Sequence, residues 1–527
     1  MSRSVRAGPD PSCLADLRTT DPRHDKKRIQ DTKGGLLKDS YRWILDNADF
    51  QRWRDDEQSR LLWIKGDPGK GKTMLLCGII DELKNQTGLL SYFFCQAADS
   101  RINNATAVLR GLIYLLVDQQ PSLISHVQKK YDHSGKGLFE DANAWAALSE
   151  ILTDVLQDPS LNSTVLIIDA LDECVTDRAQ LLDLIVQISS ESHFKWIVSS
   201  RNWPEIEKRL EIAGEKVNLC LELNPESVSA AVGKYVQHKV DRLAKLQRYD
   251  SKTRDAVREH LSSNANDTFL WVALVCQELE KISRRNTLAK CKAFPSGLND
   301  LYKRMMEQIC SSDDVDICKS ILACVTTVYR PITLKEITSL VDMQEDISDD
   351  PEDLEEAIRL CGSFLTIRDC TIYFVHQSAK DFLLTKAAGE IFLLKIQEEH
   401  QNIFSRSLQV MSEVLQRDIY GLGAPGFPID KVNQPDPDPL AAVRYSCVYW
   451  ADHLSDSCSC GKHLEDLQDG GAVDTFLRKK YLYWLEALSL LKSMSQGVLS
   501  IAKLESLLQV SLNRCYNLTQ GPNLTSL

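Results

Sequence analysis

The segment GDPGKGKT, from Gly66 to Thr73, constrains this chain more than any other feature. It follows the short apolar run LLWI and precedes a stretch with helical spacing that extends to Asn85. Its three glycines allow successive backbone N–H groups to surround a phosphate without side-chain clashes, at the positive end of the following helix. The spacing Gly, four residues, Gly-Lys-Thr therefore predicts a phosphate-binding loop between a strand and a helix.

We assign the whole loop and the next residue to nucleotide binding. Lys72 is expected to reach the β- and γ-phosphates, and the Thr73 hydroxyl to ligate Mg²⁺. A plain glycine turn is the alternative, which the flanking strand and helix disfavour. The motif does not choose between ATP and GTP. The residues assigned to the nucleotide here are Gly66, Asp67, Pro68, Gly69, Lys70, Gly71, Lys72, Thr73 and Met74.

A second motif, VLIIDALDEC, is an apolar strand followed by three carboxylates. Buried carboxylates are costly unless a cation or hydrogen-bond donors offset them, and ligands bind at the carboxyl ends of parallel strands. Asp169 is therefore the expected carboxylate on the Mg²⁺ side. Asp172 and Glu173 are candidates to orient or activate a water molecule, because Ala170 stands directly after Asp169, where many ATPases have glutamate. A solvated acidic loop is the alternative for Asp172 and Glu173.

A third motif, IVSSRNWP, ends another apolar strand with an arginine. Arg201 could sense the γ-phosphate, because a fixed cation responds to the charge lost on hydrolysis. An exposed loop arginine is the alternative interpretation.

Strand-sized apolar runs alternate with helical segments up to Leu223, which predicts an α/β domain with a parallel sheet covered by helices on both faces. Helical spacing then replaces strand signals, and a later helix followed by a hairpin over Phe364–His376 suggests a winged helix. The predicted organisation is a flexible leader at 1–35, the α/β domain at 36–223, a helical domain at 224–293, a winged-helix domain at 294–390, and a C-terminal helical region at 391–527 with a Pro-rich loop at 421–439.

Composition excludes several classes of protein. The chain of 527 residues is 43% hydrophobic and 26% charged, as in globular proteins, and it has no apolar run long enough to span a membrane. Its net charge of -12 gives no overall attraction to nucleic acid. The N-terminus lacks the apolar segment of a secretory signal, so we expect a cytoplasmic protein with reduced cysteines. At Cys447, Cys458, Cys460 and His463 the spacing favours reduced thiols over a zinc cluster.

Taken together, the loop GDPGKGKT, the block LIIDALDE and the strand end SSR resemble the NACHT branch of the STAND P-loop NTPases. The nearest resemblance is to the fungal, nephrocystin-like NACHT proteins of heterokaryon incompatibility and innate immune recognition. TFLWVALV, FPSGLNDLYKRMM, ITLKEI and FVHQSAKDFL extend the resemblance over about 20–512. The sequence departs from the family at both ends, because members of the family usually carry an N-terminal effector domain and C-terminal repeats.

The resemblance implies a slow NTPase switch that self-associates when triphosphate replaces diphosphate, together with sensor and effector proteins that the sequence does not identify. It gives Asp172 or Glu173 a role in hydrolysis and makes Arg201 the first sensor. His376 is similar to the winged-helix histidine that contacts the β-phosphate of bound diphosphate, although a histidine at a strand end is more often structural.

Three other functions stay open at this point. A P-loop kinase would also use the phosphate loop, and a DNA-associated ATPase would also join a P-loop domain to a winged helix. A scaffold that binds nucleotide without turnover would carry the same motifs.

Overall fold

The computed structural model describes residues 11–519, apart from 85, 87, 142, 162, 192–193, 213–215, 344–350, 393–394, 424–425 and 459–463. The chain divides into two compact units, residues 1–304 and 305–527, and the division falls within the helix Leu298–Cys310. Within the described ranges, no helix is both long and apolar enough to cross a membrane.

A five-stranded parallel sheet forms the centre of the first unit. Its strands are β1 Leu61–Lys65, β2 Leu89–Phe94, β3 Thr164–Asp169, β4 Lys195–Ser200 and β5 Lys216–Cys220. They pair in the order β2-β3-β4-β1-β5. Every residue of β3 is buried, which explains why its sequence is a continuous apolar run rather than an alternating one. The predicted α/β class with a parallel sheet is confirmed.

Helices connect these strands and contribute to one large apolar core. The helix after the phosphate loop is Lys72–Leu83, and its Leu76, Cys77 and Ile79 are fully buried. The other helices up to β5 are Lys38–Tyr41, Ala48–Asp55, Ala105–Gln119, Ile124–Ser134, Ala144–Leu156, Arg178–Glu191 and Pro204–Leu210.

The prediction of a flexible leader at 1–35 is wrong for the described residues from 11 onward. Helices span Pro11–Leu17 and Pro22–Thr32, and Cys13 and Leu17 are fully buried. The Arg110 guanidinium donates to the Leu17 carbonyl at 2.9 Å and so fixes the end of the first helix. Polar composition and prolines suggested a linker, but Pro22 occupies the first turn of a helix, where its missing N–H costs nothing.

Helices follow β5 as predicted from the loss of strand signals. The first begins at Pro225, directly after Asn224. The short turn Leu221–Leu223, which the sequence suggested as the end of a strand, is a 3₁₀ turn instead. The helices of this region are Pro225–Gln247, Ser251–Asn264, Phe269–Glu280, Thr287–Lys292 and Leu298–Cys310.

The second unit contains the predicted hairpin, in a sheet of three strands, β6 Ile332–Thr333, β7 Leu365–Arg368 and β8 Thr371–Phe374. The strands are antiparallel and pair in the order β6-β8-β7. The helix Leu334–Leu340 precedes the hairpin, and Thr333 and Glu336 form a capping box that defines its start. The remaining helices of this part are Val315–Thr327, Pro351–Leu360, Gln377–Thr385 and Ala388–Ile391.

Four long helices complete the second unit and enclose a core around Trp450 and Trp484. The two indoles meet edge to face at 5.7 Å, and the Trp484 N–H donates to the Cys447 carbonyl at 2.8 Å. Cys447 and Cys458 are buried, whereas Cys460 and His463 lie outside the described residues. The helices are Ile396–Val414, Arg444–Ser457, Ala472–Leu490 and Met494–Thr519.

Candidate functional site: a phosphate loop at the carboxyl edge of the sheet

The predicted phosphate loop connects β1 to the helix Lys72–Leu83. Gly69 and Gly71 have φ of +79° and +86°, a region that favours glycine. A Cβ atom at Gly69 would lie 2.8 Å from Thr268, and one at Gly71 would lie 2.9 Å from Phe269. Both glycines are therefore required by the backbone angle and by the close approach of the helix that begins at Phe269.

The Lys72 ammonium lies inside the loop. Its Nζ donates to the carbonyl oxygens of Gly66 at 2.5 Å and of Asp67 at 3.0 Å. Protein surrounds the side chain on most sides, and this burial lowers the pKa of Lys72, while the carboxylates of Asp172 and Asp169 oppose the shift. The nearby carboxylates thus offset part of the cost of burying this cation.

Asp169 ends β3 and is buried next to β4. Its Oδ1 accepts a hydrogen bond from the Ser199 hydroxyl at 2.5 Å. Burial raises the pKa of Asp169, and the hydrogen bonds from Ser199 and Thr73 and the charges of Lys33 and Lys72 oppose this. The same Ser199 oxygen accepts the N–H of Ala170, at 2.9 Å, and Ala170 has a left-handed φ of +56°. Ser199 therefore shapes the whole turn after β3, a role that its place at a strand end did not reveal.

These oxygen atoms suit Mg²⁺. The Thr73 hydroxyl lies close enough to the Asp169 carboxylate to lower its pKa, so both groups lie at the same edge of the sheet. Hydroxyl and carboxylate oxygens are the ligands that Mg²⁺ uses beside phosphates. The residues present thus fit the predicted metal.

Asp172 and Arg201 form a close pair. Asp172 Oδ1 accepts the backbone N–H of Arg201 at 3.0 Å, and Oδ2 lies 2.9 Å from Nε of the guanidinium. Both side chains are largely buried, at 3% and 15% exposure, so the ion pair is shielded from solvent. The structure thus brings together two residues that the sequence analysis treated separately.

Glu173 faces the end of β2 rather than Arg201. Its Oε2 accepts the N–H of Ala97 at 3.1 Å. Removal from water, reinforced by the negative charge of Asp172, raises the pKa of Glu173 to about 8. A carboxylate of this kind can take up a proton near neutral pH.

The remaining predicted residues lie as follows. Pro68 and Met74 are partly buried in the loop and the first helical turn, and Lys70 donates to the Asn266 carbonyl at 3.0 Å. His376 belongs to the second unit, where it caps the helix Gln377–Thr385 by accepting the Ser378 N–H at 3.1 Å. Its contact with a nucleotide stays a prediction.

One carboxylate at this edge was missed by the sequence analysis. Glu222 Oε1 accepts the N–H of Asp67, in the phosphate loop, at 2.6 Å. Glu222 lies in the run VNLCLEL, which the sequence marks as a possible strand. The position of this run beside β1 depends on the strand order, which local spacing does not predict.

Two family models match parts of the chain. Residues 39–201 match the family "Nephrocystin 3, N-terminal", and residues 303–394 match "GPI inositol-deacylase, winged helix domain". The first match ends at Arg201, and the second includes the three-stranded sheet of the second unit.

Solved structures with similar backbones are distant. A DNA replication initiation factor is 13% identical with a TM-score of 0.27, covering 60% of this chain and 78% of its own. A RuvB variant from Thermotoga maritima is 15% identical with a TM-score of 0.23, covering 66% of this chain and 95% of its own. Scores this low add nothing to the fold described above.

Sequence similarity to a fungal protein is much closer. The vegetative incompatibility protein HET-E-1 of Podospora anserina is 60% identical over an alignment of 522 residues that covers 95% of this chain. The chain spans 38% of the length of that relative. With the phosphate loop, the acidic strand end and the winged helix in place, this chain is similar to the NACHT-type P-loop NTPases of fungi.

Proposed function

We propose that this chain is a nucleotide-dependent switch that binds ATP or GTP with Mg²⁺ and hydrolyses it slowly. One observation carries the proposal: the phosphate loop, Asp169, Asp172 and Arg201 meet at the carboxyl edge of one parallel sheet. Ligands bind at this edge in such sheets, and the loop and the carboxylates supply the groups that phosphoryl transfer to water requires.

In this proposal each residue has a separate task. The loop N–H groups and Lys72 bind the phosphates, and Thr73 and Asp169 would hold Mg²⁺, which supplies charge neutralisation when bound. Glu173 accepts the proton of the attacking water, because its raised pKa makes it a stronger base than an ordinary carboxylate. Arg201, held by Asp172, responds to the loss of the γ-phosphate.

The switch itself rests on the family. Diphosphate would hold a closed state with the help of His376, and triphosphate would release it and permit self-association in the cytoplasm. The name of the relative, vegetative incompatibility protein, suggests that the output is fungal non-self recognition or cell death. Separate sensor and effector proteins would supply the input and the response.

The test is nucleotide content and turnover in four proteins: wild type, Lys72→Ala, Asp169→Asn and the control Lys84→Ala. Lys84 is exposed at the end of the helix that follows the loop, so its removal should leave binding within about threefold. Lys72→Ala should weaken binding at least about tenfold, since a charge-assisted contact to phosphate is lost. Asp169→Asn should reduce the Mg²⁺ dependence of phosphate release.

Nucleotide released by denaturation and identified by chromatography would name the base. Wild-type affinity in Lys72→Ala would contradict the proposal. Binding without any phosphate release would favour a scaffold, and transfer to an acceptor other than water would favour a kinase.

A further inference from the structure

The last strand of the parallel sheet ends beside the phosphate loop. β5 pairs with β1 in parallel register, with Cys220 opposite Lys65. Gly66 and Asp67, which follow β1, therefore lie next to the 3₁₀ turn that follows β5 and contains Glu222. This neighbourhood brings a third strand end to the loop, in addition to those of β1 and β4.

The Glu222 carboxylate is bound through both oxygens. Oε1 accepts the N–H of Asp67 at 2.6 Å, and Oε2 accepts the Cys220 thiol at 3.2 Å. The approach is close, because a Cβ atom on Gly66 would lie only 3.2 Å from Oε1. The amide of Asn202 lies 3.4 Å from Oε2, so the residue after Arg201 also reaches this carboxylate.

The backbone that carries Glu222 is itself fixed. The Asn224 amide donates to the Cys220 carbonyl at 2.8 Å, which closes the turn. The Asn47 amide donates to the Asn224 side-chain oxygen at 3.1 Å. The carboxylate is therefore presented to the loop from a rigid support.

The hydrogen bond from Asp67 has a direct consequence for Lys72. The N–H of Asp67 and the carbonyl of Gly66 belong to one peptide unit, and in a planar trans peptide the two point in opposite directions. With the N–H on Glu222, the Gly66 carbonyl points to the Lys72 ammonium, which it accepts at 2.5 Å. Glu222 and Lys72 thus hold the same peptide plane from its two sides.

We propose that Glu222 is a positioning residue for nucleotide binding: by fixing the Gly66–Asp67 peptide plane, it holds the Lys72 ammonium in place for the phosphates. This inference rests on the proposed nucleotide binding and adds a residue to it. The proposed role depends on where the Glu222 side chain places its acceptor oxygen and not on the negative charge of the carboxylate, because an anion beside the loop would by itself repel a triphosphate.

Three variants of the full chain separate geometry from charge. Glu222→Gln keeps an acceptor oxygen at the same distance, so affinity should stay within about threefold of wild type. Glu222→Asp keeps the charge but is one methylene too short to reach Asp67, and Glu222→Ala removes the group. Both should weaken binding about tenfold, the usual size of a lost charge-assisted hydrogen bond at a partly exposed site. Glu226→Ala, in the exposed first turn of the next helix, is the matched control and should bind as wild type does.

The readouts are the dissociation constant for fluorescent ATP and GTP, and the thermal midpoint without nucleotide. A merely structural role would lower the midpoint without separating Asp from Gln in affinity. If Glu222→Ala does not fold, the comparison of Asp with Gln still decides. Tighter binding by both Gln and Ala, or wild-type binding by Asp, would overturn the inference alone. Wild-type protein that binds neither nucleotide would instead overturn the proposed function, and this inference with it.

Discussion

Ser199→Ala is expected to destabilise the first unit more than any ordinary buried serine would. The hydroxyl donates to Asp169 at 2.5 Å and accepts the Ala170 N–H at 2.9 Å, and no part of Ser199 is exposed. The substitution removes a charge-assisted hydrogen bond and leaves a buried N–H without that acceptor. At about 1.5–2 kcal/mol for each loss, the total is about 3–4 kcal/mol.

Ser91→Ala is the matched control. Ser91 is equally buried, in β2 of the same sheet, and donates a single hydrogen bond to the Leu112 carbonyl at 2.8 Å. Leu112 lies within a helix, where its carbonyl also takes part in the helical hydrogen-bond pattern. Loss of this neutral bond should cost about 1 kcal/mol.

The two penalties should also differ in their pH dependence. Burial already raises the pKa of Asp169, and loss of the Ser199 donor would raise it further. Between the unfolded and folded pKa values the folded variant binds more protons, so its stability falls as pH rises. The penalty of Ser199→Ala should therefore be larger at pH 8 than at pH 5.

Hydrogen exchange of peptides that cover β3 and β4 measures the loss of stability in the first unit at each pH, because the amides of core strands report the opening free energy of their own unit. A penalty for Ser199→Ala no larger than that for Ser91→Ala would refute the reasoning. An equal gap between the two variants at both pH values would refute the role assigned to Asp169.

Substitutions elsewhere test other parts of the structure. Glu173→Gln should abolish the rise in hydrolysis rate that is centred near pH 8, because only the ionised base is active and the pKa of Glu173 is raised to about 8; a pH–rate profile that keeps the rise excludes this base. Glu336→Ala should lower the free energy of unfolding by about 3–5 kcal/mol in urea denaturation, because the Glu336 carboxylate is 1% exposed and paired with an arginine. Glu355→Ala removes an exposed ion pair and should lower the same free energy by about 0.5 kcal/mol. Gly71→Ala should abolish nucleotide binding and lower the free energy of unfolding by about 2 kcal/mol, because Gly71 has a positive φ and an added Cβ would lie 2.9 Å from a neighbouring side chain. Gly233 lies on a helix with open space around the position of a Cβ, so Gly233→Ala should raise the stability measured in thermal melts by up to about 1 kcal/mol.

The parts of the fold predicted from the sequence are those with local signals. β1 and β3 are short apolar runs that end in polar motifs, and the hairpin of the second unit is continuous in the chain. Each depends on residues within about ten positions, so periodicity and turn residues suffice. The phosphate loop and Asp169 were predictable for the same reason.

What the sequence missed depends on contacts between distant segments. Cys13 and Leu17 are apolar residues in a segment that is otherwise mostly polar, so the composition of the segment predicts a linker. The contact between Leu17 and Arg110 shows that it is part of the folded unit. Glu222 is 155 residues from its partner Asp67 and becomes a neighbour only through the strand order. No local pattern encodes either pairing, because the free energy that fixes them comes from tertiary packing.

The end of β4 determines how the parts of this site fit together. Ser199 holds Asp169 through its hydroxyl, and the Ser200 carbonyl accepts the N–H of Gly66 at 3.3 Å. The next N–H, of Arg201, donates to Asp172 at 3.0 Å. Three successive residues thus bind the metal-side carboxylate, the phosphate loop and the acidic turn. Because neighbouring residues of a strand face opposite sides, a shift of β4 by one residue would break all three contacts together. The spacing between loop and carboxylates is therefore fixed by the register of β4 against β1 and β3, and the SSR motif marks the segment of the chain that does this.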